Sequence, residues 1–226
     1  MSSPGWAFRY LFVFRDSPRL DRQGFAASWR GWVGWVHGCA RVPKMTAAEY
    51  LEIERKAAFK SEFVRGEVFA MSGGLPTHAV LIGQMVRELG DALEDAPCVV
   101  SVAELRLELV RDHVYVYPDV MVVCGGFALA EGHRDVITNP SVVVEVLSES
   151  TEAWDRGGKF GLYQGVATLR EYVLVSTTAM RVEWFTREED GRWSYRKAEG
   201  PEGVVRLETL GVTLGLGRIY RKVELG

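Results

Sequence analysis

Beyond residue 44 the apolar positions fall into two periods, one near 3.6 residues and one of two, and their alternation divides the chain into helices and strands. Thr46-Ala47-Ala48-Glu49 is a capping box, and with Tyr50, Leu51 and Ile53 behind it the pattern predicts a helix over 46–58. Residues 62–71 carry apolar runs on either side of Arg65-Gly66, where glycine can supply a positive φ, and predict a hairpin. A second helix follows over 78–93, after Thr77 as its expected cap. Its apolar face is Leu81, Ile82, Met85, Val86, Leu89, Ala92 and Leu93, with Gln84, Arg87, Glu88 and Asp91 turned away.

Residues 98–109 read as extended chain with one wet face, because Leu105, Leu107 and Leu109 alternate with Glu104, Arg106 and Glu108. Arg111-Asp112-His113 turns into a strand over 114–124, and 125–140 reads as a polar, exposed connection. The run 142–147 is apolar on both faces, which predicts a central, covered strand. A third helix is expected over 155–165, although Gly157-Gly158 weakens it. Strands over 171–176, 180–186 and 192–197 follow, the last pair turned by Glu189-Asp190-Gly191. A weakly strand-like tail over 204–220 is expected to serve packing.

Two of these strands each carry one acid: Asp119 follows Tyr117-Pro118, and Glu145 stands on the face of Val143 and Leu147. A lone carboxylate in an apolar strand costs several kcal/mol unless it is paired, protonated or metal-bound. If neighbouring strands bring the two within about 4 Å, their repulsion is roughly 4 kcal/mol at an effective dielectric near 20, enough to keep one protonated at neutral pH. A divalent cation reverses that balance, and oxygen ligation suits Mg²⁺ or Mn²⁺. The two acids alone leave simple pairing with Arg or Lys equally open. Asp155, Lys159 and Tyr163 share one helical face, where an Asp155–Lys159 surface pair worth a few tenths of a kcal/mol is the plainer reading. His78 sits in the first turn of its helix, within reach of a site.

Composition changes this picture little, with 47% apolar and 25% charged residues among 226 describing an ordinary globular chain. Charge is uneven: residues 1–44 hold six Arg and one Lys against two Asp, leaving 20 basic against 28 acidic side chains beyond them. That first stretch also holds Trp6, Trp29, Trp32 and Trp35 without sustained periodicity, and makes a poor signal peptide. It reads as a basic, Trp-rich extension to a domain over 45–226, and a start of translation at Met45 is the expectation. Cys39, Cys98 and Cys124 have no metal-ligand spacing and suggest no disulfide framework, so a reducing cytoplasm is expected. No apolar run approaches the length of a membrane span. There is no P-loop, nucleophile elbow or dinucleotide fingerprint, and neither Cys98 nor Cys124 has a local base that would make it a nucleophile.

Six segments in order, Met45 to Tyr50, Glu62 to Glu67, Pro76-Thr77-His78, Tyr117 to Val120, Val144 to Ser148 and Asp155 to Tyr163, resemble the bacterial "putative restriction endonuclease" domain family of the PD-(D/E)XK nuclease superfamily. The resemblance spans about 45–223. It implies an α/β fold: a restriction-endonuclease-like core with a mixed central β-sheet flanked by α-helices and an additional antiparallel C-terminal hairpin. It also implies that Asp119 and Glu145 are the metal-binding acids. The superfamily lysine would stand two residues after Glu145, where this chain has Leu147. Lys159 on the following helix is therefore the expected replacement. Glu62, His78, Ser148, Asp155 and Tyr163 are supporting candidates.

The function so implied is Mg²⁺-dependent hydrolysis of nucleic-acid phosphodiesters, with DNA as the expected polymer and Mn²⁺ as a substitute metal. A metal-activated water would attack, leaving a 5′-phosphate. A homodimer would suit a cut through both strands. Against efficient nucleic-acid binding stands the acidic body. A non-catalytic module binding nucleic acid or protein, and a hydrolase of small phosphate esters, are the alternatives.

Overall fold

The structure is a computed structural model that describes residues 44–71 and 74–225. The chain divides between Pro43 and Lys44 into two units, and only the second is described below. The basic extension apart from Lys44, Cys39 and the expectation of a start at Met45 therefore concern residues outside the described ones.

The capping box forms as predicted: Thr46 Oγ1 accepts from Glu49 N–H, and Glu49 accepts from Thr46 N–H at 2.8 Å. It opens α1 (Ala47–Glu54), which ends four residues earlier than the periodicity suggested. β1 (Ser61–Val64) and β2 (Glu67–Ala70) form the expected hairpin, with Arg65 and Gly66 both at positive φ, 51° and 95°. α2 (Pro76–Ala92) starts earlier than predicted. Thr77 does not cap it; Pro76 sits at its beginning, and the Thr77 hydroxyl donates to the Glu224 carbonyl. Glu88, expected to face water, is buried between Arg87 and Arg218, each 2.6 Å away.

The extended stretch after α2 is two strands, β3 (Cys98–Val102) and β4 (Arg106–Val110), that lie in different sheets. The expected wet face of β4 is not wet at Arg106, which is buried against the Tyr117 hydroxyl. The predicted strand over 114–124 is likewise divided, into β5 (Val114–Val116) and β6 (Val120–Cys124). Pro118 stands between them, removing a ladder donor and holding Tyr117 extended, and the chain passes there from one sheet to the other. The connection over 125–140, expected to be exposed, contains the buried β7 (Val136–Ile137), which pairs parallel with β4.

β8 (Val142–Val146) is the covered central strand that its composition predicted, antiparallel to β6 and parallel to β9 (Glu171–Val175). Beyond β9 come β10 (Arg181–Arg187), β11 (Trp193–Glu199), the hairpin β12 (Val204–Leu207) and β13 (Val212–Gly215), and a final turn of helix, α5 (Leu216–Ile219). The tail is thus better ordered than its pattern promised. One sheet has the order β2-β1-β5-β4-β7, the other β11-β10-β9-β8-β6-β3.

The six-stranded sheet is covered on both faces. Val142, Val144 and Val146 pack with Leu81, Met85 and Leu89 of α2 and with the C-terminal hairpin. Val143 and Leu147 pack with Tyr163 and with Leu107, Val114 and Val116 of the five-stranded sheet. Cys98 and Cys124, directly opposed on β3 and β6, are joined by a disulfide, which corrects the expectation of unpaired cysteines. The sparse sequence spacing hid it because cross-strand register, not separation along the chain, makes the two neighbours.

A buried carboxylate–lysine cluster where the two sheets meet

The Pro118 corner fixes the site. The register of β6 on β8 pairs Val120 with Val144, so the next residues, Asp119 and Glu145, are opposed and share a face. Val146 N–H donates to Asp119 Oδ2 at 2.8 Å, and Asp119 N–H points at Glu145 Oε2 from 3.5 Å. From the other sheet, Glu62 on β1 accepts Tyr117 N–H through Oε1 at 3.3 Å. Three carboxylates, two on β1 and β8 and one just before β6, thus converge on one corner.

The fourth comes with Lys159. The expected helix over 155–165 is an α-turn, α3 (Glu152–Trp154), then a π-helical segment over Asp155–Lys159, then α4 (Phe160–Tyr163). The wide turn coincides with Gly157-Gly158, and a Cβ at Gly158 would fall 2.0 Å from the Trp154 ring. Asp155, Lys159 and Tyr163 do share a face, and it is buried, so the surface-pair reading is set aside. Lys159 Nζ lies 2.9 Å from Glu145 Oε1, 3.0 Å from Glu62 Oε1 and 3.8 Å from Asp155 Oδ1. Tyr163 Oη donates to Glu145 Oε1 at 2.8 Å. One oxygen of Glu145 is therefore anchored twice, while the other is turned toward Asp119.

His78 Nε2 stands 3.3 Å from Asp119 Oδ2. With side chains 18% and 13% exposed, these two form the open end of the cluster. A Cβ at Gly74 would lie 2.7 Å from His78 Nδ1, so the chain before α2 passes close to the ring. Ser148 is not brought to the carboxylates by any hydrogen bond. Its hydroxyl accepts Thr151 N–H at 3.3 Å and pairs with the Thr151 hydroxyl, which shapes the start of α3. Two tyrosines escaped sequence reasoning. Tyr172 Oη holds the Asp155 carbonyl at 3.0 Å, and the Tyr117 hydroxyl is clamped by Arg106 and donates to Glu54 Oε1. The position of Tyr117 before Pro118 was the only signal available for either.

Four acids against Lys159 and His78 leave the cluster short of positive charge. Burial pushes the Glu145 carboxyl up, to about 8; Lys159 opposes that rise, while Asp155, Asp119 and Glu62 add to it. Asp155 is raised by burial as well. Burial acts to lower Lys159, but the carboxylates of Glu145, Glu62 and Asp155 outweigh it and hold the ammonium charged. His78 is raised first by its hydrogen bond to Asp119. Among the described residues no three or more His, Cys, Asp or Glu are grouped to hold a metal ion by themselves. Two carboxylates remain compatible with Mg²⁺, which keeps several waters and takes phosphate oxygens as ligands. A depression of about 560 Å³ lined by Lys44, Phe63, Arg65 and His113 contains none of these groups.

The family model Uma2, described as "Putative restriction endonuclease", matches residues 47–217. The chain belongs to this family. Among relatives of this chain, a Synechocystis sp. (strain ATCC 27184 / PCC 6803 / Kazusa) protein described as uncharacterized is 34% identical over 182 residues, covering 80% of this chain and 94% of the relative. A second uncharacterized protein of that organism is 36% identical over 149 residues, covering 66% of this chain and 84% of its own length. A crystal structure from Anabaena variabilis ATCC 29413, described as "a putative nuclease belonging to DUF820", shares the fold. Its TM-score is 0.64 at 15% identity, covering 78% of this chain and 98% of that one. The expected architecture, a mixed α/β core with a C-terminal antiparallel hairpin, is thereby borne out in the Uma2 chain. No helix among the described residues is long and apolar enough to cross a membrane.

Proposed function

We propose that this Uma2 protein is a metal-dependent endonuclease that hydrolyses phosphodiester bonds of nucleic acid, DNA being the expected polymer. The observation that carries the reading is the convergence of Asp119, Glu145 and Lys159 at one corner, although the lysine comes from a helix and not from the strand of Glu145. Asp119 and Glu145 would hold Mg²⁺ or Mn²⁺, because their oxygens share a face in a cluster short of positive charge. When bound, the metal would supply a hydroxide-like water and neutralise phosphate charge.

The chain's own groups have separate tasks. Tyr163 and Lys159 fix one oxygen of Glu145 and so set the direction of the other. Lys159, held by Glu62 and Asp155 as well, presents a fixed ammonium to charge developing on the phosphoryl oxygens. Val146 N–H orients Asp119, and His78 closes on its outer side. Leu147 occupies the position where the superfamily carries lysine, and here it packs in the apolar cluster with Val143 and Tyr163. The acidic surface favours the second reading, a non-catalytic binding module on the same fold.

The test is Mn²⁺ titration of the full chain by calorimetry, beside an Asp119→Ala/Glu145→Ala variant, followed by incubation with a mixed set of oligonucleotides. Metal binding and cleavage are expected only in the wild type. Cleavage that survives in the double variant would refute the assignment, and binding without cleavage of any oligonucleotide would favour the module.

A further inference from the structure

The hairpin register places beside Glu62 one side chain that has no hydrogen bond or ring contact among the described residues. On β1 and β2, Glu62 is directly opposed to Phe69, so both project from the same face of the five-stranded sheet. Glu62 turns inward to Lys159. Phe69, on the edge strand, is 39% exposed, and Leu75, three residues before His78, is 76% exposed. An aromatic ring therefore stands beside Glu62 on the sheet face turned toward the cluster, and an exposed aliphatic side chain precedes α2 and His78, where a polyanion-binding surface would ordinarily show Lys or Arg. Residues 44–226 carry 21 basic against 28 acidic side chains, so the phosphate backbone of a duplex would gain little from this body.

We propose that Phe69 is a stacking platform for an unpaired nucleobase beside the reacting phosphate, and that the substrate is single-stranded nucleic acid. This rests on the phosphodiesterase reading above. In a duplex the faces of the bases are hidden in the helical stack, whereas a single strand offers each face to an exposed ring. Stacking supplies affinity that does not depend on surplus positive charge, and it is tolerant of sequence because every base has a π-face.

The experiment measures binding of the full chain, in EDTA so that nothing is cleaved, to a fluorescent single-stranded oligodeoxynucleotide and to its duplex. Wild type is compared with Phe69→Ala and Phe69→Trp. The wild type is expected to prefer the single strand. Phe69→Ala should weaken single-strand binding by about 5- to 150-fold, the range for loss of one stacked base, and Phe69→Trp should restore it. Equal affinity of wild type and Phe69→Ala, preference for duplex, or no binding of either oligonucleotide overturns the proposal. So does a change from dimer to monomer on Phe69→Ala, which would assign the ring to a contact between copies. Cleavage with Mn²⁺ is scored separately. Phe69-dependent binding without cleavage would sink the hydrolytic reading and leave the stacking one standing, and duplex cleavage indifferent to Phe69 would do the reverse.

Discussion

Replacing Glu145 by Gln separates what the cluster does for function from what it costs the fold. The side chain is 3% exposed as a residue and touches Lys159 and Tyr163 through one oxygen. Gln can accept both of those hydrogen bonds, so the substitution removes charge with little change of shape. In the wild type the carboxyl rises from its ordinary 4.5 to about 8, chiefly through burial. A carboxyl raised on folding takes up a proton between those two values. Its favourable state is complete below pH 4.5, and stability falls as pH climbs to 8.

Each pH unit in that window is worth about 1.4 kcal/mol for one fully independent group, and sharing of protons with Lys159 reduces the total to a few kcal/mol. Glu145→Gln should therefore lack this slope. It should unfold in urea at a midpoint near that of the wild type at pH 5, and at a clearly higher one at pH 9. Any mismatch between the new amide and Asp119 N–H, 3.5 Å away, shifts the whole curve and not its slope. Urea unfolding by circular dichroism from pH 5 to 9 reads the difference. Parallel curves for the two proteins would show that Glu145 does not change its protonation on folding in this window, and would refute the reasoning. A variant more stable at high pH yet unable to bind Mn²⁺ is what a site selected for chemistry predicts.

Lys159→Met should do the opposite, leaving Glu62, Glu145 and Asp155 without their buried cation and costing about 3–5 kcal/mol at pH 8, less at pH 5 where the acids can protonate; thermal unfolding at both pH values checks it. Glu171, fully buried and raised to about 7 by burial, carries the same sign as Glu145 in a place remote from the chemistry. Glu171→Gln should flatten the fall of stability from pH 4.5 to 7 without altering Mn²⁺ affinity, and an unchanged pH profile would count against its burial as an acid. Reduction of the Cys98–Cys124 bond, which spans 26 residues, should lower stability by about 3 kcal/mol, seen as a lower urea midpoint with dithiothreitol; a midpoint that does not move in the Cys98→Ser variant would be the control.

Local chemistry made much of this molecule legible in the chain. The capping box at Thr46, the positive-φ turn at Arg65-Gly66 and the two-sided apolar run 142–147 each act through neighbours in sequence, and all three formed. So did the shared face of Asp155, Lys159 and Tyr163, because helical spacing alone brings them together. What sequence could not supply was the environment of those faces. Arg106 and Glu88 sit on polar stripes by pattern, yet are buried because strands and helices distant in the chain cover them and bring ionic or hydroxyl partners. The sheet change at Pro118, the Cys98–Cys124 pairing and the approach of Glu62 to Lys159 depend on strand register between segments far apart. Sequence determined that Asp119 and Glu145 would be acids set in apolar strands and in need of a reason, since apolar periodicity fixes which positions face a core. Tertiary structure alone decided that they share a corner with a lysine, because only long-range packing sets distances between side chains that the chain itself holds dozens of residues apart.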